Sequence, residues 1–303
     1  MSAPVLAMNT TWSLGTSGIV LNTTDAAGVE WIAGQDDGWF NAPGEKLNQG
    51  EWPSDHGMWD GQSYVDSRLV TLPFAISAPS RAACDVALRT LAAFGTTGQL
   101  VPLTVVEPGL TTFASVKRAQ KPNVTRVTET YAEAQIFLTA PDPRRYDPSV
   151  NTASTTLATA ISGLDWSTGG GLDWSTGGGL NWGTSTSDGT CTVLNNGTAP
   201  SPPIFTITGP TDSGTLSAIS ITNSATGQVI AYSGTLGVND VLVINANRFA
   251  RSATLNGAAD VWSGLTVSQW FGVPDGGQLK VQFQGTSSSL TPLLQVGVSN
   301  AYY

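Results

Sequence analysis

The chain is short of charge. Of its 303 residues only 12% are Asp, Glu, Lys or Arg, about half the share of an ordinary soluble domain. Solubility must rest on Ser, Thr, Asn and Gly, which suit turns and strands. Basic residues are the scarcer sign, 13 against 22 acids, for a formal net charge of -9. Binding along a phosphate backbone needs clustered Lys and Arg. The densest group here is Lys117, Arg118 and Lys121, which reads as an exposed strand edge or turn. Cys84 and Cys191 are the two cysteines. They are too few for a disulfide framework and too far apart for metal-site spacing, so both are expected to be reduced, buried and structural. His56 is the single histidine. Paired-histidine zinc binding is thereby excluded, and no Ser–His–Asp or Cys–His device is visible around it. A phosphate-cradling Gly–Lys–Ser/Thr loop is also missing. No cofactor and no metal are expected. No apolar run approaches ~18 residues, so no membrane insertion is expected. Residues 1–20 lack a basic start and an apolar run, so no signal peptide is expected either.

What is present is β patterning. Hydrophobic residues make up 40% of the chain, enough for real cores, and the length suits two domains. The first domain is placed at 1–150. Short strands are predicted around Val29–Ile32 and Arg68–Leu72. Between them runs a long loop rich in Trp, Asp and Gly, carrying Trp39, Trp52 and Trp59. Loops this long are usually functional or packed in an interface, and these three tryptophans are candidate interface residues. One helix stands out. Ser80 is a good N-cap, Cys84, Ala87, Leu88 and Leu91 share one face, and Phe94–Gly95 closes it. Strands are expected again at Leu100–Val106, Thr112–Arg118, Thr125–Thr130 and Tyr131–Thr139. In the last of these Ala132, Ala134, Ile136 and Leu138 share a face. Pro141–Asp142–Pro143–Arg144–Arg145–Tyr146–Asp147–Pro148 reads as a boundary, because proline removes a ladder donor.

A repeat follows, and 151–186 is taken as a linker arm. Gly163–Leu164–Asp165–Trp166–Ser167–Thr168–Gly169–Gly170 recurs at Gly171–Gly178 and, degraded, at Gly179–Thr184, with a period of eight residues. Three copies are too few for a solenoid. Trp166, Trp174 and Trp182 are read as anchors of an extended segment and join the candidate interface residues. The period and the acid density argue against a calcium-binding β-helix.

The remainder, 187–303, is a run of strand-length apolar segments broken by turn residues, as expected of an antiparallel sandwich. Examples are Ile204–Ile207, Leu216–Ile221, Gln228–Tyr232, Val241–Ile244, Leu279–Phe283 and Leu293–Val296.

The order of these motifs resembles a known family. Asn195–Asn196–Gly197–Thr198–Ala199–Pro200–Ser201–Pro202–Pro203–Ile204 is followed by Ile207–Thr208–Gly209–Pro210, Ile221–Thr222–Asn223 and Thr226–Gly227. Tyr232–Leu236, Val241–Ile244, Trp270–Phe271, Val273–Pro274–Asp275–Gly276 and Val281–Phe283 complete the series. It is similar to the C-terminal domain of the distal tail proteins of long-tailed phages, especially those of actinobacteria. Asp60–Gly61, Ser67–Leu72, the single helix and Pro141–Tyr146 are similar to that family's N-terminal belt domain. The resemblance implies a mostly β fold, with a belt-type β-sandwich carrying one packed α-helix and then a galectin-like antiparallel β-sandwich. It further implies a structural virion protein at the distal end of the tail, assembled in the host cytoplasm. Its belt domains would form a homo-hexameric ring that joins the tail tube protein to tail tip or baseplate proteins. Phage DNA would pass through the lumen without specific binding, and an acidic lumen would repel it over roughly 8–10 Å.

Two rival readings stay open. Asp36, Asp37, Glu51, Asp55 and Asp60 mingle with tryptophans, as acids and aromatics do in a glycosidase. They equally suit a solvated loop with docking side chains, and no catalytic spacing is evident, so an enzyme is not expected. The second rival is host attachment through a surface glycan. Tyr232, Trp262 and Trp270 are the candidate carbohydrate contacts, with core or interface packing as the alternative.

Overall fold

A computed structural model describes residues 10–158 and 187–303. Within these the chain divides into two units: residues up to Pro148 with Ala301–Tyr303, and Ser149–Asn300.

In the first unit, strict alternation sets the core. Along the Arg68–Ser77 strand every second residue is buried, so Val70, Leu72, Phe74 and Ile76 point to one side. Arg68 occupies the same face. The Tyr131–Ala140 strand runs antiparallel to it over its full length, from Tyr131 opposite Ser77 to Ala140 opposite Arg68. Its Ala132, Ala134, Ile136 and Leu138 are buried, as the period predicts. Glu30–Ala33 pairs with the other edge of Arg68–Ser77, and Asn123–Arg126 with the other edge of Tyr131–Ala140. A second group pairs Thr11–Leu14 with Val101–Glu107, which turns tightly into Leu110–Arg118.

The helix spans Arg81–Ala93. The Ser80 side chain accepts from the Ala83 N–H, and Gly95 follows the C-cap at φ +68°. Cys84, Ala87 and Leu91 are its buried face; Leu88 is only partly buried.

One expectation needs correction. The strand expected at Thr125–Thr130 is Asn123–Arg126, because the N–H groups of Val127 and Thr128 both turn back to the Tyr131 carbonyl at 3.0 Å. The first unit runs to Pro148, the last residue of the expected boundary motif, and Pro148 lies inside the Arg145–Thr156 strand.

The second unit is a sandwich of two antiparallel sheets. One runs Thr190–Leu194, Gln278–Ser287, Leu216–Asn223, Val229–Tyr232, Leu265–Ser268. The other includes the Leu293–Tyr302 strand as far as Asn300, with Ile204–Thr208, Val241–Asn245, Ser252–Leu255 and Ala259–Asp260. Phe205, Ile207, Ile244, Leu294 and Val296 from one sheet share a core with Ile219, Ile221, Val281 and Phe283 from the other. The mostly β, sandwich-type fold expected from the sequence is the fold observed.

Candidate assembly surface

The long loop of the first unit is a built ribbon. Glu45–Lys46 pairs with Tyr64–Val65, and further out Gln49–Glu51 pairs with Met58–Asp60. A two-stranded ribbon has no second layer to bury its side chains. Leu47 is accordingly 59% exposed, Met58 57% and Trp52 53%. Phe40, Trp59, Tyr64 and Val65 are exposed as well. Gly50 lies directly opposite Trp59, and a Cβ there would sit 2.4 Å from the indole Nε1. The ribbon is therefore shaped around the Trp59 ring. Trp52 and Trp59, read from the sequence as interface candidates, are thus presented outward. Leu47, Met58, Tyr64 and Val65 extend that apolar surface, and no strand alternation marks them in the sequence.

Trp39 has a different place. It is fully buried, edge-on to Trp12 at 5.8 Å, with the Arg145 guanidinium 5.6 Å from its ring centre. It belongs to the core beneath the ribbon and offers no surface.

What pins the ribbon's base is Arg68. Its Nη1 donates to the carbonyls of Gly38 (2.7 Å), Trp39 (2.8 Å) and Asn41 (2.8 Å), and its Nε to that of Pro143 (2.9 Å). Burial, with Arg145 nearby, pulls the Arg68 pKa down to about 10, so the group stays charged at neutral pH. The Pro141–Tyr146 motif forms the other half of this clasp. Asp142 accepts from Arg144 Nε (2.7 Å) and Nη2 (3.0 Å) and from the Tyr146 hydroxyl (2.6 Å). A forked guanidinium on a carboxylate is a strong, geometry-fixing pair. It holds Pro143 where Arg68 can reach it. The motif at the end of the first unit thus also works as a clasp, with Asp142 and Pro143 buried.

The acids of this loop are spread from base to tip. Asp36 is next to the Trp39 turn, and burial pushes its carboxyl upward. Asp37 accepts from Asn41 at 3.1 Å and Asp60 from Gln49 at 3.0 Å. Asp55 accepts from the His56 N–H at the exposed tip. Each is used locally. Among the described residues no three His, Cys, Asp or Glu side chains gather as a metal site. No helix among them is long and apolar enough to cross a membrane. Cys84 and Cys191 are free and buried. Burial raises the Cys191 thiol to about 11.

On the second unit Tyr232 is buried, its ring lying over Gly234 and Gly264, where an added Cβ would come within 2.4 Å. Trp262 is 42% exposed and stacks on Trp270, 5.6 Å between ring centres and 17° between planes. Arg251 sits 4.8 Å from the Trp270 ring centre. The short helical turn Trp262–Gly264 and the Ser252–Leu255 strand bring these groups together. Trp166, Trp174 and Trp182 lie outside the described residues.

Comparison with known proteins bears on this geometry in two ways. Residues 196–292 match the family described as siphovirus-type tail component, C-terminal domain. No curated protein sequence matches the chain. Among solved structures, the chain is similar to the Dit protein (gp 19.1) of phage SPP1, described as a paradigm of the hub adsorption apparatus in phages infecting Gram-positive bacteria. The TM-score is 0.62 at 10% identity, over 97% of this chain and 99% of that one. It is also similar to a chain of the phage P2 baseplate in its activated conformation with calcium, with TM-score 0.54 and 12% identity over 97% and 98% of the two chains. The sequence likeness to a siphovirus-type tail component thus covers residues 196–292, and the likeness in fold to the SPP1 Dit protein covers 97% of the chain.

Proposed function

We propose that this chain is a structural component of a phage tail, the distal hub that joins the tail tube to the tip or baseplate. The observation that carries the reading is the likeness to the SPP1 Dit fold along nearly the full length of both chains, with the family's domain pattern in residues 196–292. The exposed apolar ribbon fits an assembly role, since its side chains gain burial only against another surface. In this reading copies of the chain form a ring, six by analogy with the family, and phage DNA passes through the lumen without sequence-specific contacts. The net charge of -9 suits such a lumen, because like charges do not trap passing DNA. The chain performs no chemistry of its own. The test is immunogold electron microscopy of virions with antibody against the full chain. Label at the distal end of the tail supports the hub; label on the head or along the whole tube refutes it.

A second reading attaches to the other unit. Trp262 presents an aromatic face stiffened by Trp270 and Arg251, a platform on which a sugar ring stacks. Binding of the full chain to host-wall glycan, abolished by Trp262→Ala with the melting temperature unchanged, supports adhesion. Absence of saturable binding removes it.

A further inference from the structure

We propose that the 41–66 ribbon of one copy docks on the helix face of the next copy, which makes it the contact that closes the hub ring. The inference rests on the hub reading and adds the two surfaces that meet.

The ribbon is apolar and acidic. Residues 41–66 carry Glu45, Glu51, Asp55, Asp60 and Asp66 against Lys46 alone. Lys46 is already paired with Asp66 at 3.0 Å. The exposed tryptophans Trp52 and Trp59 therefore stand among uncompensated carboxylates.

A surface of the opposite character lies on the same unit. Arg81, Asp85 and Arg89 repeat at i, i+4 and i+8 along the helix and share a stripe. Arg126 joins them by bonding Asp85, and Arg118 donates to the Ala92 and Phe94 carbonyls at 3.2 and 3.0 Å. Four arginines thus surround the helix, with Asp85 and Glu129 as the acids paired to them. Between them Val86 is 57% exposed, and Ala82 and Ala93 are exposed too. Val124, on the strand that carries Arg126, is exposed as well. An amphipathic helix normally turns charge outward, yet this one also presents an unpartnered apolar line.

Ribbon against helix face pairs carboxylates with guanidinium groups and tryptophans with an apolar stripe. Trp and Arg are the residues that dominate interface energetics. Ribbon against ribbon would oppose like charges. Both surfaces are exposed on the same chain, so the contact joins two copies. A contact between two different patches is heterologous, and copies related by it close into a ring when the rotation permits.

The test mixes full chains carrying Met58→Cys with full chains carrying Val86→Cys under mild oxidation. The two native cysteines are buried, which leaves the introduced thiols as the reactive pair. The inference expects an inter-chain disulfide in the mixture, at least tenfold above either variant alone. Native mass spectrometry should show oligomers for the parent chain that are lost in Asp55→Arg and restored when Asp55→Arg is mixed with Arg89→Asp. Oligomers that form without the mixed disulfide and ignore both charge reversals overturn the docking while leaving the ring standing. A parent chain that stays monomeric at high concentration with no mixed disulfide overturns both.

Discussion

The two units both bury aromatic side chains but expose others in different settings. In the second, Phe205, Phe271 and Tyr232 are buried in the sandwich, and among the described residues the Trp262–Trp270 stack and Phe249 reach the surface. In the first, the chain leaves the sheet after Ala33 and returns at Arg68, and on the way Trp52, Met58 and Trp59 are held out on a ribbon. Aromatic content does not decide the fate of a tryptophan. What decides it is whether the backbone supplies a second layer. Trp39 makes the point from within one loop: 13 residues before Trp52, it lies under the ribbon's base and is part of the core.

That contrast yields predictions of decreasing size. Phe205→Ala removes a fully buried ring from the second unit and should cost about 3–5 kcal/mol, read as a shifted urea midpoint, with ribbon-mediated assembly intact until the unit melts. Arg68→Ala leaves the carbonyls of Gly38, Trp39, Asn41 and Pro143 without their donor and should cost at least about 3 kcal/mol. Unlike the first variant, it should also release the ribbon, seen as rapid amide exchange across residues 38–66. Equal exchange in both variants would break the contrast. Ser80→Ala removes the helix N-cap and should lower the first unit's stability by about 1 kcal/mol in the same titration. Smallest are Trp52→Ser and Trp262→Ser, each expected to change stability by no more than about 0.5 kcal/mol. The first should abolish oligomers in native mass spectrometry and the second should leave them unchanged.

Much of the fold was legible from the residues themselves. Ser80, Cys84, Ala87 and Leu91 announced the helix, because capping and a 3.6-residue period are local signals. Ala132 to Leu138 announced a half-buried strand through alternation. The ribbon was legible only as a long loop. Its strands are two or three residues each and face solvent on both sides, so no alternation marks them. The clasp is legible in the sequence only as the end of a region, and the first unit does run to Pro148. Prolines dominate the local pattern of Pro141–Pro148, whereas its role depends on Arg68, 75 residues before Pro143. The helix face leaves no signal in the sequence, because Arg118 and Arg126 reach it from other strands, a juxtaposition that only the paired sheet creates.

The most direct test is a reconstruction of the intact tail end at a resolution that shows strands. The hub reading predicts this two-unit fold repeated around the axis at the distal end of the tube, with each copy's 41–66 ribbon seated on the neighbouring copy's Arg81–Ala93 helix. A tail end whose ring density cannot hold this fold would contradict it.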